Sequence, residues 1–379
     1  MQPAPGGYGL PDVPESTILA SGWRTSGPEV ESFEREFAAW VGVDEAVAVS
    51  SGTVAVELAL RALRLRLGAR VLVSTLAPSG VLQAVVRAGL RPALLDVAED
   101  TGIPTPDHVH AATRALKGPA LAMVASHWGG NPCDAKVLAE AAGLPAWAIV
   151  EDAGQALGAR LDGHPPGSLG VACFSFYSTA NLPIGEGGML TTVDADRARW
   201  LRRERETGSS PAVRHHVLSG HAPPHMLRQG GLRDGLTDQS AATGRRLLAR
   251  VDAWLQRRQE IARLYDERLV DVPGLDLPHR SAARAGAHGW HQYPVLVNGR
   301  RSRRDSVVRA LGAAGHAMQA PIEPLHRRGY AREVCDLPSS DLAAADRFAD
   351  RLVCLPIHPS LPDATVDRVG EVLRAALRG

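Results

Sequence analysis

Residues 168–189 read SLGVACFSFYSTANLPIGEGGM, and the other motifs of the chain are arranged around this stretch. Its residues 172–177 form an apolar run rich in β-prone side chains, which predicts a short buried strand. A polar turn follows at 178–181. The glycine cluster GEGG at 185–188 then requires a backbone that bends tightly or that admits a close neighbour. The stretch therefore predicts a buried strand that leads into a tightly turning loop.

Strands and helices alternate through the first half of the chain. Short apolar runs predict strands, and amphipathic segments between them predict helices. The predicted strands cover residues 46–49, 71–73, 93–97, 120–126 and 146–150, and the predicted helices cover residues 54–67, 81–88, 106–116 and 135–142. This alternation predicts an α/β fold with a largely parallel sheet and helices on both of its faces. Ligands bind such sheets at the carboxyl ends of the strands.

The pattern changes after residue 189 and predicts a second, smaller domain. Residues 207–236 are rich in Gly, Pro, His and Arg and predict a long loop. A helical pattern at 238–269 leads towards a strand predicted at 290–297. We therefore expect an N-terminal arm at 1–26, a large domain at 27–245, and a linker helix with a small C-terminal domain at 246–379.

Composition and charge argue against several classes of partner. The formal net charge is +1 over 379 residues, so the chain has no electrostatic attraction for nucleic acid or for an anionic membrane. No apolar run approaches the roughly 20 residues that a membrane span needs, and the first residues lack the apolar core of a secretory leader. The four cysteines have no metal-like spacing. We expect a cytoplasmic protein without nucleic-acid or membrane partners and without a metal site.

Polar residues of the types that bind phosphate or transfer protons follow several predicted strands. SSGTV at 50–54 joins a strand to a helix start, whose free amide groups and dipole favour an anion, although an ordinary capped turn is the alternative reading. Asp152 and His127 each follow a predicted strand, and Ser175 lies within one. His127 suits either a general base or a structural hydrogen bond. Because the carboxyl ends of parallel strands meet at one edge of the sheet, we expect these groups to line one binding site there.

Two motifs resemble the cofactor site of a known enzyme family. EDAGQA at 151–156 and FSFYSTAN at 174–181 are similar to the sequences around the cofactor in the DegT-type sugar aminotransferases, which are fold type I enzymes that use pyridoxal 5′-phosphate (PLP). Further similar segments are GW at 22–23, GPEV at 27–30, SSGTVA at 50–55, SH at 126–127, GNPCD at 130–134 and LPIHP at 355–359. The resemblance therefore spans nearly the whole chain, and the shared order of the motifs makes it specific.

This resemblance implies a fold, a cofactor and a reaction. The fold is the aspartate aminotransferase-like fold type I, with a central mostly parallel sheet in a large domain and a smaller α+β C-terminal domain. The cofactor is PLP or its aminated form, pyridoxamine 5′-phosphate (PMP). The family reaction moves an amino group from glutamate or glutamine to a keto-sugar nucleotide or a cyclitol ketone, in amino-sugar or antibiotic biosynthesis. The enzymes of the family are usually homodimers.

The resemblance also implies roles for individual residues. Asp152 is expected to keep a proton on the pyridine nitrogen, so that the ring withdraws electrons. Gln155 is expected to contact the phenolic oxygen of the cofactor. The remaining cofactor contacts within the subunit are expected at Gly52, Thr53, Val54, Ser175 and Asn181.

Three positions depart from the family pattern at the cofactor. Ala180 stands where the family has the lysine that forms a Schiff base with PLP, and the only lysines of the chain are Lys117 and Lys136. Pro78 stands where the family usually has an aromatic residue that stacks on the ring. Arg233 falls near the point where the neighbouring subunit usually sends an asparagine to the phosphate. An alanine predicts little or no transamination, because its methyl group neither holds the cofactor nor moves a proton.

The missing lysine leaves several interpretations open. In one interpretation, a native lysine at position 180 was replaced in order to trap a cofactor adduct. In the other, the protein naturally lacks this lysine, and the departure at Pro78 favours this second interpretation. The chain is then an aminotransferase-like protein that binds PLP or PMP without a covalent bond, or a non-catalytic subunit that forms a heterodimer with an active paralogue. A third interpretation is a PLP-independent enzyme that reuses the pocket, with His127, Asp152 and Glu186 as its acid–base groups.

Overall fold

The alternating apolar runs and amphipathic segments fold into strands and helices in chain order. A computed structural model of the protein describes residues 25–168, 170–208, 230–278, 288–316, 318, 322–338 and 342–378. The strands are β1 Glu45–Val49, β2 Arg70–Ser74, β3 Arg91–Leu95, β4 Ala120–Ser126, β5 Ile149–Asp152, β6 Val171–Ser175, β7 Gly188–Thr192, β8 Leu275–Asp276, β9 Tyr293–Val297 and β10 Leu352–Leu355. The helices are α1 Pro28–Val41, α2 Gly52–Ala62, α3 Ser79–Arg87, α4 Pro106–Ala115, α5 Ala135–Ala141, α6 Ala195–Glu204, α7 Asp238–Leu248, α8 Val251–Leu269, α9 Arg301–Ala313, α10 Gly329–Val334, α11 Ala343–Arg351 and α12 Asp363–Arg378. Residues 1–24 of the predicted arm and 209–229 of the predicted loop lie outside the described residues.

Strands β1 to β7 form one sheet in the order β1-β7-β6-β5-β4-β2-β3. Strands β3, β2, β4, β5 and β6 are parallel to their neighbours in this order, whereas β7 runs antiparallel to both β6 and β1. The expected α/β fold with a mostly parallel sheet is confirmed. The register pairs Ser126 with Asp152 and Asp152 with Cys173, so the carboxyl ends of three neighbouring strands lie side by side.

Strand β7 differs from the sequence expectation, because the glycine cluster at 185–188 predicts only a turn. Gly188 instead begins the strand and pairs with Val49 on one side and with Ser175 on the other. A Cβ atom at Gly188 would lie 2.4 Å from the carbonyl oxygen of Ser51. Only glycine therefore lets β7 pass this close to the start of α2.

Several further elements differ from their predicted bounds. The helix predicted at 54–67 is α2 and ends at Ala62, and the strand predicted at 290–297 is β9 and begins at Tyr293. The strand predicted at 146–150 begins at Ile149, because residues 146–148 form a single 3₁₀ turn in which Trp147 is half exposed. The helical pattern predicted at 238–269 forms two helices, α7 and α8, which are separated by two residues. The apolar stripe continues across this break, because Leu247 and Val251 pack into the same core.

Helices cover both faces of the large sheet. Alternate residues of a strand point to opposite faces, and β1 shows the result. Val47 and Val49 pack with α2, α3 and α6, whereas Ala46 and Ala48 pack with α1 and α7. Helices α4 and α5 cover the same face as α1 at the β3 end of the sheet. The carboxyl edge of the strands is therefore the open edge at which a ligand can enter.

Strands β8, β9 and β10 form a separate antiparallel sheet in the order β10-β9-β8. Its apolar face packs with α8, α9 and α12 in a core of its own. The domain boundary between residues 245 and 246 stays a prediction. None of the helices in the described ranges is both long enough and apolar enough to cross a membrane.

Candidate functional site

A cavity of about 470 Å³ lies at the carboxyl ends of the parallel strands. We call it the Asp152 cavity. Its wall includes seven of the residues that the sequence predicts for a cofactor site, namely Gly52, Thr53, Pro78, Asp152, Gln155, Ser175 and Ala180. The wall also includes Val56, Ser79, Gly80, Val81, Gly154, Cys173, Phe174, Tyr177, Thr179 and His291. The fold thus brings together residues from five separate parts of the chain.

The start of helix α2 forms one side of this cavity. The Ser51 hydroxyl accepts a hydrogen bond from the Val54 amide at 3.2 Å, and the Ser51 carbonyl accepts one from the Ala55 amide at 3.0 Å. Within the described part of the chain, the amides of Gly52 and Thr53 have no acceptor. The positive end of the helix dipole adds to these free N–H groups, so the helix start suits an anion. Val54 differs from its expected role, because Ser51 already occupies its amide and its side chain is buried away from the cavity.

Gly52 is required by the close packing at this helix start. A Cβ atom at position 52 would lie 2.7 Å from Cβ of Ser175 and 3.1 Å from its hydroxyl oxygen. A real side chain would therefore push β6 away from α2. The absence of a side chain keeps the Ser175 hydroxyl next to the free amides, which is the arrangement that a phosphate group needs.

Asp152 ends strand β5 and is 9% exposed. Its Oδ1 atom accepts a hydrogen bond from the Gly154 amide at 3.2 Å. Burial raises the pKa of this carboxyl above its usual range, although the hydrogen bond from the Gly154 amide partly opposes the rise. A positively charged ligand group in the cavity would therefore pair favourably with the desolvated carboxylate of Asp152.

Gln155 and Asn181 are held by backbone groups around the cavity. The Gln155 Oε1 atom accepts a hydrogen bond from the Gly129 amide at 2.7 Å, which directs the side chain's NH₂ group as the remaining donor. The Asn181 Nδ2 atom donates to the Gly289 carbonyl at 2.7 Å, and the residue is 3% exposed. Asn181 therefore supports the wall beside Ala180 and does not itself line the cavity.

His127 does not reach this cavity, so the prediction that it lines the same site as Asp152 and Ser175 is wrong. Its side chain lines a second cavity of about 600 Å³ together with Glu151. Nε2 lies 3.1 Å from Glu151 Oε2, and Nδ1 accepts the Cys133 amide at 3.0 Å. Because the Cys133 amide donates to Nδ1, this nitrogen is the acceptor, and Nε2 carries the proton that it donates to Glu151. Glu151 points away from Asp152 because successive strand residues face opposite sides, and it holds the imidazole there.

The other predicted residues are more peripheral. Pro78 lines the cavity immediately before helix α3. Arg233 is exposed and does not line the cavity of its own chain, and its backbone is in the left-handed region with φ of 59°. Glu186 is exposed in the turn before β7. Lys117 and Lys136 are both exposed, and neither lines the Asp152 cavity.

His291 is a cavity residue that sequence reasoning missed. It lies just before β9, in the part of the chain that the sequence assigns to the small domain. The apolar run at 290–297 predicts a strand, in which a histidine carries no special signal. Only the packing of residues 288–292 against the 3₁₀ turn Trp128–Gly130 brings this imidazole to the large sheet.

Comparison with known proteins adds to this geometry. The DegT/DnrJ/EryC1/StrS aminotransferase family model matches residues 15–374. The chain belongs to the DegT/DnrJ/EryC1/StrS aminotransferase family. The match covers the helix start, Asp152 and the segment that ends at Ala180, so the resemblance expected from the sequence motifs is confirmed.

The proteins similar to this DegT-family chain include a polysaccharide biosynthesis protein and solved aminotransferase structures. The chain is 33% identical to the spore coat polysaccharide biosynthesis protein SpsC of Bacillus subtilis, over 98% of this chain and 97% of the relative. It is 32% identical to DesV of S. venezuelae, solved in complex with a ketimine intermediate, with a TM-score of 0.83 over 96% of this chain and 93% of that one. It is 30% identical to the aminotransferase TlmJ from Streptoalloteichus hindustanus, with a TM-score of 0.82 over 96% and 94% of the two chains.

The residues of the cavity fit part of the cofactor that DegT-family enzymes use. The free amides at the start of α2 and the close packing of Gly52 on Ser175 suit its phosphate, and the buried Asp152 suits a protonated ring nitrogen. Covalent attachment has no counterpart, because Ala180 and the other wall residues carry no amino group. The site fits PMP or PLP as a non-covalent ligand.

Proposed function

We propose that this protein binds PMP or PLP without a covalent bond in the Asp152 cavity, and that it is a sugar-aminotransferase-like protein of amino-sugar or natural-product biosynthesis. One observation carries the proposal. The cavity combines a free helix start, Gln155 and the buried carboxyl of Asp152 in one wall, and no lysine of the chain lines it. The ring and phosphate contacts of an aminotransferase are thus retained, and the group for covalent attachment is absent.

Each wall residue has a separate task in this proposal. When bound, the cofactor supplies a pyridinium ring that withdraws electrons from the carbon next to its amino group. Asp152 holds the proton on the ring nitrogen, and the positive ring offsets the cost of burying the carboxylate. The amides of Gly52 and Thr53 and the hydroxyl of Ser175 bind the phosphate. The NH₂ group of Gln155 bonds the phenolic oxygen.

The proposed substrate class rests on the family to which the chain belongs. Membership of this aminotransferase family favours an ancestral transfer of an amino group from glutamate or glutamine to a keto-sugar nucleotide or a cyclitol ketone. Removal of a general acid–base group typically costs about 100- to 10,000-fold in rate. With Ala180 at the reacting end, we therefore expect the chain to bind the cofactor and to transaminate slowly or not at all.

Two titrations test this function. The purified protein is titrated with PMP and then with PLP, and binding is followed by the absorbance of the ring and by calorimetry. Saturable binding of PMP supports the proposal. The Ala180→Lys variant is then treated with PLP and sodium borohydride, and its intact mass is expected to rise by one reduced cofactor. The same variant is assayed with glutamate, glutamine and a panel of keto-sugar nucleotides.

Ser178→Lys provides the matched control for covalent attachment. Position 178 is exposed, lies two residues away and does not line the cavity, so a lysine there should not become labelled by the same dose of PLP. Equal labelling of both variants would contradict the proposed position of the reacting end. Absence of PMP and PLP binding in the parent protein would reject the cofactor site itself, and a PLP-independent enzyme that reuses the cavity would then become the better proposal.

Arg233 favours a second candidate function, that of a subunit paired with an active paralogue. This residue is exposed, its left-handed backbone is held by the hydrogen bond from its amide to the Glu206 carbonyl at 2.8 Å, and it does not line its own cavity. A guanidinium in this position suits a phosphate on a neighbouring subunit. Co-expression with a lysine-bearing paralogue tests the idea. A stable homodimer that does not exchange with the paralogue would exclude it and would leave the homodimer as the proposed assembly.

A further inference from the structure

The backbone turns sharply just before His291. Trp290 has φ of 46°, in the left-handed region that a bulky residue rarely adopts. Such a conformation persists only where the surrounding structure enforces it, and it often occurs at binding and active sites. The next residue, His291, is 6% exposed and lines the Asp152 cavity.

Several contacts enforce this turn. The buried Arg258 guanidinium donates to the Trp290 carbonyl at 2.8 Å and to the Ile357 carbonyl at 3.0 Å. The Trp290 amide donates to His288 Nδ1 at 2.9 Å, and the two rings stack with centroids 4.0 Å apart. The Gln292 amide donates to the Gly129 carbonyl at 2.9 Å. The backbone is thus bonded on both sides of His291, which fixes the direction in which the imidazole enters the cavity.

The same contacts locate His291 at one end of the cavity. The Gly289 amide donates to the Gly130 carbonyl at 2.7 Å, and the Gly289 carbonyl accepts from the side chain of Asn181, the neighbour of Ala180. Gly129, which bonds Gln292, also donates to Gln155. The flanks of His291 are therefore tied to the residues beside Ala180 and Gln155, and not to the helix start at Gly52.

The imidazole of His291 is neutral. Burial and the nearby Arg258 guanidinium lower its pKa to about 3. A neutral imidazole offers one N–H donor and one acceptor nitrogen without a charge. It is therefore a weak base at neutral pH but a suitable hydrogen-bonding partner for an amino group or a carbonyl oxygen.

We propose that His291 contacts the 4′ substituent of the bound cofactor, the amino group of PMP or the carbonyl group of PLP, at the end of the cavity beside Ala180. This inference rests on the proposed cofactor site and deepens it. His291 then orients the reacting group in a site where no lysine holds it. The contact recognises the chemical group that changes in amino transfer, whereas Asp152 and the helix start recognise the ring and the phosphate.

A pair of ligands that differ only at this group tests the inference. PMP is compared with 4-deoxypyridoxine 5′-phosphate, which has the same ring and phosphate but a methyl group in place of the aminomethyl group. We expect the parent protein to prefer PMP about tenfold, the usual scale of one hydrogen bond to a well-placed partner. His291→Leu keeps a similar volume and is expected to remove the preference, with the affinity for the deoxy compound changed by less than about threefold. His291→Gln keeps polar groups and is expected to retain part of it.

His358→Asn is the matched control. His358 is half buried, and burial and the same Arg258 lower its pKa, but it does not line the cavity. Its substitution should leave the preference for PMP intact. Equal weakening of both ligands in His291→Leu, or an equal affinity of the parent for both ligands, would overturn the inference while leaving the cofactor site standing. Binding of neither ligand to the parent protein would reject the cofactor site and this inference with it.

Discussion

Glu151 and Asp152 are neighbours on strand β5, yet they face different cavities and have different surroundings. Glu151 Oε1 accepts the Gly167 amide at 2.8 Å and Oε2 lies 3.1 Å from His127 Nε2. Asp152 accepts the Gly154 amide, and its carboxylate opens on the cavity with the free helix start. Both carboxyl groups are buried. The protein's own groups satisfy the first carboxylate, whereas the second one gains its strongest partner only from a ligand.

This contrast separates a structural carboxylate from one that suits a ligand. A buried charge is stable when hydrogen bonds and a partner surround it, and it is costly when they do not. Burial raises the pKa of Asp152, which is the direction expected for a carboxyl group without a full set of partners. The sequence motif EDAGQA does not distinguish the two residues, and their partners do.

The largest effect is expected from loss of the structural carboxylate. Glu151→Ala leaves the His127 N–H group and the Gly167 amide buried without an acceptor. We expect the free energy of unfolding to fall by about 3 kcal/mol. Urea denaturation followed by circular dichroism measures this loss. Glu140→Ala, at an exposed position in the same cavity, should change stability by less than about 0.5 kcal/mol. A loss of stability below about 1 kcal/mol for Glu151→Ala would contradict the structural role of the Glu151 carboxylate.

Asp152→Ala is expected to affect binding more than folding. Without the carboxylate the ring nitrogen of the cofactor loses its charged partner, so the affinity for PMP should fall at least about 100-fold. Calorimetric titration measures the change. Glu140→Ala should bind PMP like the parent protein. If Asp152→Ala binds PMP with unchanged affinity, the distinction between the two faces of β5 does not extend to ligand binding.

Gly52→Ala tests the helix start on the Asp152 side. The new Cβ would lie 2.7 Å from Ser175 Cβ, so α2 and β6 must move apart. We expect the affinities for PMP and for inorganic phosphate to fall about tenfold, because the free amides and the Ser175 hydroxyl no longer converge. Gly312→Ala is the control, since a Cβ there meets nothing within 4 Å. Unchanged phosphate binding in Gly52→Ala would place the anion elsewhere.

The smallest effect is expected from Asp152→Asn in the absence of ligand. Folding raises the pKa of Asp152, so over the interval above its ordinary pKa the folded state holds a proton that the unfolded chain has released. The parent protein should therefore lose stability as the pH rises through this interval, and the asparagine variant should not. We expect the variant to be more stable by about 1 kcal/mol at neutral pH.

Denaturation curves from pH 4.5 to pH 8 measure this difference, which should widen with pH and be reduced by saturating PMP in the parent protein. A difference that does not depend on pH would mean that the effect of Asp152→Asn is one of packing and not of charge.

Local sequence patterns identify much of the fold and part of the site. The alternation of apolar runs predicts the parallel sheet, because burial of strand residues depends on near neighbours along the chain. Seven predicted residues line one cavity because motifs at the ends of neighbouring parallel strands meet at one edge. The prediction for His127 is wrong because the strand-end position does not reveal which face a side chain occupies. Strand β7 is missed because glycine, which usually marks a turn, is here required by close packing.

Two histidines mark the limit between sequence and structure. The sequence by itself determines the family motifs and the start of helix α2, which suits an anion. It also shows that Lys117 and Lys136 are the only lysines. Each of these properties is local or a matter of composition. Only the tertiary structure directs His127 to Glu151 and brings His291 to the Asp152 cavity. These two placements depend on contacts between distant segments, such as the bonds from residues 288–292 to Gly129 and Gly130, and no local pattern encodes such contacts.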